Sequence, residues 1–234
     1  MSHPPRKPMT RPPSGGADAG RGVAKRLRTA KSRSASSRAW LERQLNDPFV
    51  AKARALGYRS RAAFKLIELD ERAHLISRGA RVIDLGCAPG GWIQVLVERG
   101  AGRVVGADLS PVEPIAGVVI LQGDVGDPGV QARLVELAGG GADLVLSDMA
   151  PKTTGHRQTD HLRIVGLVET AADFAVRALR PGGAFVAKAF QGGETAGLIS
   201  GLKRRFDRVR TLKPRASRAE SSEIYLVATG FKGA

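Results

Sequence analysis

Apolar residues in the middle of the chain fall in short, dense blocks: Val82-Ile83 with Leu85, Val104-Val105, Val118-Val119-Ile120-Leu121, Leu144-Val145-Leu146 and Phe185-Val186. Blocks this short and rich in β-branched residues suit strands buried on both faces of a parallel sheet. They predict strands over 80–85, 103–107, 118–122, 143–147 and 183–188. Between them the period lengthens. Ala62, Leu66, Leu69 and Ala73 recur at helical spacing and predict a helix over 60–74. Further helices are predicted near 91–99, 129–138, 159–179 and 194–206, and an earlier one from Trp40 and Leu41. Pro181-Gly182-Gly183 reads as the turn into the fifth strand. The ending differs, because 208–212 and 224–231 read as two strands with no helix between them. The alternation predicts an α/β fold: a mostly parallel seven-stranded sheet with an antiparallel last strand and helices on both faces.

The first strand stops in Gly86-Cys87-Ala88-Pro89-Gly90-Gly91-Trp92. Such a loop at a strand's carboxyl end is where open α/β sheets take nucleotide-like ligands. Its Gly-x-x-x-Gly-Gly spacing matches neither the dinucleotide GxGxxG nor a phosphate loop ending in Gly-Lys-Ser/Thr, and it contains no Lys or Arg. An adenosine-bearing ligand without a phosphate chain, S-adenosylmethionine, fits best. The other strand ends extend the picture. Asp108 closes strand two, about twenty residues past the loop, where a carboxylate can accept from both ribose hydroxyls. Asp124 closes strand three, placed to accept from an adenine amino group. Asp148 closes strand four and Lys188 closes strand five. A single strand-end Asp is often a cap or turn residue; three beside a glycine loop form a pattern. Lys188 follows an apolar run, where loss of hydration favours the neutral amine that could accept a hydroxyl proton. The plain alternative is a lysine snorkelling to the surface.

Composition adds a partner. The 234 residues carry 37 Lys and Arg against 22 Asp and Glu, a net charge of +15. That excess points to a polyanion, most simply nucleic acid; a solvated basic surface is the alternative. Residues 1–33 hold nine Lys/Arg, one acid and five prolines, and are expected to be a disordered basic tail ahead of a domain over 34–234. One cysteine and four scattered histidines exclude an internal disulfide and suggest no metal site. The absence of a secretory signal or long apolar run predicts a cytoplasmic, non-membrane protein, by default a monomer. Arg54, Arg59, Arg61 and Lys65 form one basic cluster. Lys203, Arg204, Arg205, Arg208, Arg210, Lys213, Arg215 and Arg218 form another, and both are expected to converge beside Lys188 as an RNA surface. Aromatics are only 5% of the chain, so backbone charge and shape would outweigh base stacking.

The sequence resembles the FtsJ/RrmJ family of 2′-O-ribose methyltransferases. The matching runs are Tyr58-Arg59-Ser60-Arg61-Ala62-Ala63-Phe64-Lys65-Leu66, the 84–92 loop, Leu121-Gln122-Gly123-Asp124, Ser147-Asp148-Met149-Ala150-Pro151, Lys188-Ala189-Phe190-Gln191-Gly192, Lys213-Pro214 and Ser221-Ser222-Glu223-Ile224-Tyr225. Together they cover most of 35–232. The resemblance implies a Rossmann-like S-adenosylmethionine-dependent methyltransferase fold and a catalytic tetrad of Lys65, Asp148, Lys188 and Glu223. Lys188 would take the proton of the target 2′-hydroxyl, Asp148 would hold Lys188 and lie near the cofactor, Lys65 would orient the ribose, and Glu223 would offset positive charge. Gly90, Trp92, Asp108, Asp124 and Asp148 would bind the cofactor, Trp92 serving also as a core aromatic. The implied substrate is large-subunit rRNA in the assembled 50S particle, at a uridine of the peptidyl-transferase A loop. Other readings are a tRNA 2′-O-methyltransferase and a ribosome-assembly factor with vestigial catalysis. The missing GxGxxG weighs against an oxidoreductase. Asp148-Met149-Ala150-Pro151, in place of an Asn/Asp-Pro-Pro-aromatic run, weighs against methylation of amino groups.

Overall fold

The computed structural model describes Glu42 and residues 45–151, 157–192 and 194–233. The candidate helix at Trp40 and Leu41 and the basic tail lie outside the described residues. The chain divides into two compact units, Met1–Asn46 and Asp47–Ala234; the second contains every element below.

The described elements are α1 (Pro48–Ala55), α2 (Ala63–Ala73), β1 (Arg81–Leu85), α3 (Gly91–Glu98), β2 (Arg103–Asp108), β3 (Val118–Gln122), α4 (Pro128–Leu137), β4 (Ala142–Ser147), α5 (Arg157–Ala178), β5 (Leu179–Phe190), α6 (Glu194–Arg205), β6 (Phe206–Leu212) and β7 (Glu223–Phe231). The seven strands form one sheet in the order β3-β2-β1-β4-β5-β7-β6. Pairing is parallel from β3 through β5, and β7 runs antiparallel to both neighbours. This is the expected α/β fold with a reversed last strand.

The dense apolar blocks become central strands because both faces are covered. Ile83, Leu85, Val145, Phe185 and Ala187 pack with Leu134, Phe174 and Leu202 of α4, α5 and α6. Val82, Leu144, Leu146, Val186 and Val227 face the other way, against Leu66 and Leu69 of α2 and Trp92, Ile93 and Leu96 of α3. Burying each such side chain contributes on the order of 1.5–3 kcal/mol. The two-sided cover forces every strand's polar termination to the sheet's ends, where the site lies.

Two elements differ from the sequence reading. The fifth strand begins at Leu179, which pairs with Ala142. The next partners are Leu144 and Ala184, so Arg180–Gly183 loop out as a wide bulge with Gly182 at φ +82°. The Pro-Gly-Gly turn therefore lies inside the strand. Helix α1 was not anticipated. Asp47 caps it, accepting from Phe49 N at 3.0 Å, and Pro48 sits in its first turn, a start signal visible as Asp-Pro.

Candidate active site

The sheet reverses its direction of growth between β1 and β4, and the crevice outside their carboxyl ends is the ligand position of such folds. The two exit loops meet there. Asp148 N donates to Leu85 O at 3.2 Å, and a Cβ on Gly86 (φ +75°) would lie 2.6 Å from Met149 Cγ. Glycine is required at 86 by both its backbone angle and that approach. Gly90 adopts φ +104° as the residue capping α3.

Four side chains from separate elements converge beside this crevice. Lys65 comes from the first turn of α2, Asp148 follows β4, Lys188 lies in β5 and Glu223 opens β7. Lys188 Nζ donates to Asp148 O at 2.6 Å and lies 3.2 Å from Asp148 Oδ1. Lys65 Nζ lies 2.7 Å from Glu223 Oε1, which also accepts from Ser217 Oγ at 2.7 Å. Tyr225 joins the two ion pairs. Its hydroxyl donates to Asp148 Oδ1 at 2.7 Å and accepts from Lys65 Nζ at 3.1 Å. The result is one chain, Glu223–Lys65–Tyr225–Asp148–Lys188, in which two cations and two anions alternate. Lys65 and Lys188 are buried and Tyr225 is fully buried. Charges this far from water persist only when paired.

The electrostatics follow from that pairing. Burial alone would raise the Asp148 carboxyl, but the charges of Lys188 and Lys65 and the hydrogen bonds from Tyr225 and Lys188 outweigh it and hold the group below its ordinary 3.8. Burial, with Asp148 and Glu223 beside it, pushes the Tyr225 hydroxyl well above its ordinary range. Tyr225 therefore stays a neutral donor. In the sequence Tyr225 stands out only as the end of the Ser221–Tyr225 run. Its signal was the strand period of two: Glu223 and Tyr225 share a face, and Tyr225 pairs directly with Lys188.

The cofactor candidates separate. Asp108 lies beside the glycine loop, accepting from Ala88 N at 2.9 Å and Ser110 N at 2.8 Å. Two of its four acceptor positions remain for a ligand. Asp124 is exposed, with Oδ1 accepting from Gly126 N at 2.8 Å. Gly123 N donates to Asp108 O at 3.0 Å, so these two strand ends sit side by side. Trp92 is buried; its Nε1 donates to Ala62 O at 2.8 Å and its ring lies 5.8 Å from that of Tyr225. Its side chain therefore ties α3 to the start of α2, which carries Lys65.

Asp84, two residues before the loop, has both carboxylate oxygens buried without a hydrogen-bond partner. Burial, with Asp148 and Asp108 nearby, pushes its carboxyl well above the ordinary range. Asp108 and Asp148 beside an entry loop that itself carries no cation fit a ligand with positive charge and hydroxyl donors, as S-adenosylmethionine has. Among the described residues no group of three or more His, Cys, Asp and Glu could hold a metal ion.

The basic clusters converge only in part: Lys65 joins Lys188 through Tyr225 and Asp148, and Arg61 and Arg218 both face Asp47, while other members are engaged elsewhere. Arg59 donates to Pro89, Glu113 and Pro114 carbonyls at 3.2, 2.6 and 2.9 Å and pins the glycine loop to the segment after β2. Arg61 pairs with Asp47 and donates to Ala216 O. Lys213 donates to Ala219 O and Ser221 O. These cations hold loops in place by donating to their backbone carbonyls. Lys203, Arg204 and Arg205 end α6, which packs on the sheet face opposite α2.

Comparison with known proteins decides the family. Residues 58–231 match the FtsJ-like methyltransferase family. The chain belongs to it. Ribosomal RNA large subunit methyltransferase E of Caulobacter vibrioides is 63% identical over 225 residues, 96% of this chain and 100% of the relative. The protein of that name from Granulibacter bethesdensis is 59% identical, covering 95% of each. A Plasmodium falciparum crystal structure described as a ribosomal RNA methyltransferase shares 34% identity and a TM-score of 0.69, covering 76% of this chain and all of that one. The methyltransferase fold and family expected from the sequence are thus established. Among the described residues no helix is long and apolar enough to cross a membrane.

Proposed function

We propose that the protein transfers a methyl group from S-adenosylmethionine to the 2′-hydroxyl of a ribose in large-subunit rRNA, at a uridine of the A loop in the assembled 50S particle. The observation that carries the reading is the Glu223–Lys65–Tyr225–Asp148–Lys188 chain: a buried lysine held by a carboxylate beside a glycine-loop crevice. The names of the relatives support the rRNA substrate.

Asp108 and Asp124 would hold the cofactor's ribose and base, the 86–91 loop would admit it, and Asp148 would face its charged end. When bound, the cofactor supplies a methyl group already activated on a positively charged sulfur. Catalysis then rests on positioning. Lys188 takes the proton that the ribose hydroxyl releases. As the neutral amine that can accept a proton, it turns its two N–H groups to Asp148, which leaves the nitrogen lone pair for that hydroxyl. Lys65, braced by Glu223 and Tyr225, orients the ribose.

Two variants test the division of labour. Asp108→Ala is expected to weaken cofactor binding about tenfold, the scale of a lost charged hydrogen bond. Calorimetric titration reads this directly, and an unchanged affinity would displace Asp108 from the ribose. Tyr225→Phe removes the link between the ion pairs and is expected to lower turnover ten- to hundredfold, about 1.5–3 kcal/mol, with KM little changed. A rise in KM at native turnover would make Tyr225 a binding residue only.

The whole reading is tested by labelled methyl transfer to unmodified large subunits, protein-free large-subunit rRNA and bulk tRNA, with the label mapped to a nucleotide. Labelling of one ribose in the subunit is expected. Labelling of tRNA would retain the chemistry and change the substrate, and no labelling would favour an assembly factor.

A further inference from the structure

A second basic feature lies at the opposite end of the sheet. A cavity of about 720 Å³ opens between the carboxyl end of α2, the 74–80 turn, the bulge of β5 and the edge strand β6. Its walls carry four guanidinium groups, Arg72, Arg78, Arg208 and Arg210, with His74 beside them. Asp143 is the one carboxylate in the lining, and it is engaged: Oδ2 accepts from Arg81 N at 2.8 Å and Oδ1 faces Arg180 Nη1 at 3.8 Å. Arg72 pairs with Glu68 at 3.6 Å, so the uncompensated positive charge of the cavity rests on Arg78, Arg208 and Arg210.

Arg210 makes this more than a patch of solvated surface. It is half-buried, and its Nε is sealed from solvent without a hydrogen-bond partner. A buried donor left unpaired costs about 1–3 kcal/mol unless an acceptor arrives. Three guanidinium forks without a carboxylate partner, Arg78, Arg208 and Arg210, around one cavity suit a tetrahedral oxyanion, which accepts several N–H groups at once.

Register relates the cavity to the active site. Lys188 pairs with Tyr225, and Tyr225 with Leu212; four residues back along β5, Ala184 pairs with Thr229, and Thr229 with Arg208. Residues an even number apart share a face, so Arg208 and Arg210 stand on the face that carries Lys188. At about 3.3 Å per residue the two rows are roughly 13 Å apart, a span that a few nucleotides cover. Strand β6 is the edge of the sheet, so an RNA strand can pass along it from one end to the other.

We propose that this cavity binds a backbone phosphate of the RNA substrate, so that the RNA is gripped at both ends of β6 while its ribose lies at Lys188. The proposal rests on the RNA-methylation reading above. Arg78 and Arg208 are exposed, so charge reversal there leaves the fold intact, which native cofactor affinity verifies. In the Arg78→Glu, Arg208→Glu double variant, KM for large subunits is expected to rise about tenfold. The slope of log affinity against log salt is expected to fall by about 1, the signature of one lost phosphate contact. A second arm follows thermal unfolding of both proteins in inorganic phosphate and in chloride at equal ionic strength. If phosphate stabilises only the native chain while the KM for RNA is the same in both, the cavity serves a small free anion and the RNA assignment is overturned. If neither KM, salt slope nor phosphate response differs, the cavity binds no phosphate. If the native chain labels no RNA at all, the methylation reading has failed and the RNA assignment falls with it, whereas labelling with unchanged KM and slope overturns this inference alone.

Discussion

A Lys188→Met variant is expected to bind S-adenosylmethionine within about twofold of the native chain and to transfer methyl groups at least about 10³-fold more slowly. Methionine keeps the length and apolar stem of lysine, so the packing of β5 against β7 survives and the change is confined to Nζ. That nitrogen is the buried amine with two hydrogen-bonding directions already committed to Asp148. In the proposed mechanism the lone pair of the neutral amine meets the ribose hydroxyl. Without it the hydroxyl proton loses the amine acceptor; Asp148, still accepting from Tyr225, is a much weaker base than an amine. Single-turnover kinetics with saturating cofactor separates this loss from a binding defect. Equal losses in cofactor affinity and rate would sink the assignment of Lys188 as base.

The second large effect is on stability as well as rate. Asp148→Ala removes the carboxylate that faces both Lys188 and Tyr225, leaving Lys188 only the backbone oxygen of residue 148 and leaving two buried lysines with only Glu223 as counter-charge. Breaking a buried pair in this way costs about 3–5 kcal/mol, a fall in Tm on the order of 10 °C for a domain of this size, and methyl transfer is expected to be lost. The pH dependence has a definite sign. Burial opposes ionisation of Asp148, but Lys188 and Lys65 prevail and its folded-state value lies below the ordinary 3.8. Its stabilisation is therefore fully present above about that pH and is lost as pH falls through the lower folded value. Thermal unfolding of native and variant chains across acid pH checks this, because the gap between them should close toward the most acid end. A gap independent of pH would mean that packing, not charge, made the difference.

Much of the fold was legible because strand burial on both faces leaves a strong local mark. The blocks at 82–85, 104–107, 118–121, 144–147 and 184–187 became strands, and Asp108, Asp124 and Asp148 stand at or just past the carboxyl ends. Strand β5, by contrast, runs on to Phe190, so Lys188 lies within its strand and does not close it. Where local rules compete, reading was poorer. Pro181-Gly182-Gly183 is a turn signal, yet Leu179 still pairs with Ala142, so the turn became a bulge within β5. Asp47-Pro48 announced a helix that its weak apolar pattern concealed.

The sequence by itself determined which chemical groups the site could contain: a glycine loop without cations, carboxylates at three strand ends, and lysines at 65 and 188. Only the tertiary structure decided how they are wired. Tyr225 links the two ion pairs because antiparallel register sets it opposite Lys188, a relation between residues 37 positions apart in the chain. Likewise only the fold shows that Arg59 and Arg61 are spent on backbone carbonyls and Asp47, while Arg208 and Arg210 face a cavity at the far end of the sheet. The reason is physical. Residue type and period report burial and local geometry, whereas a cation's role depends on which acceptor the folded chain brings within about 3 Å of it.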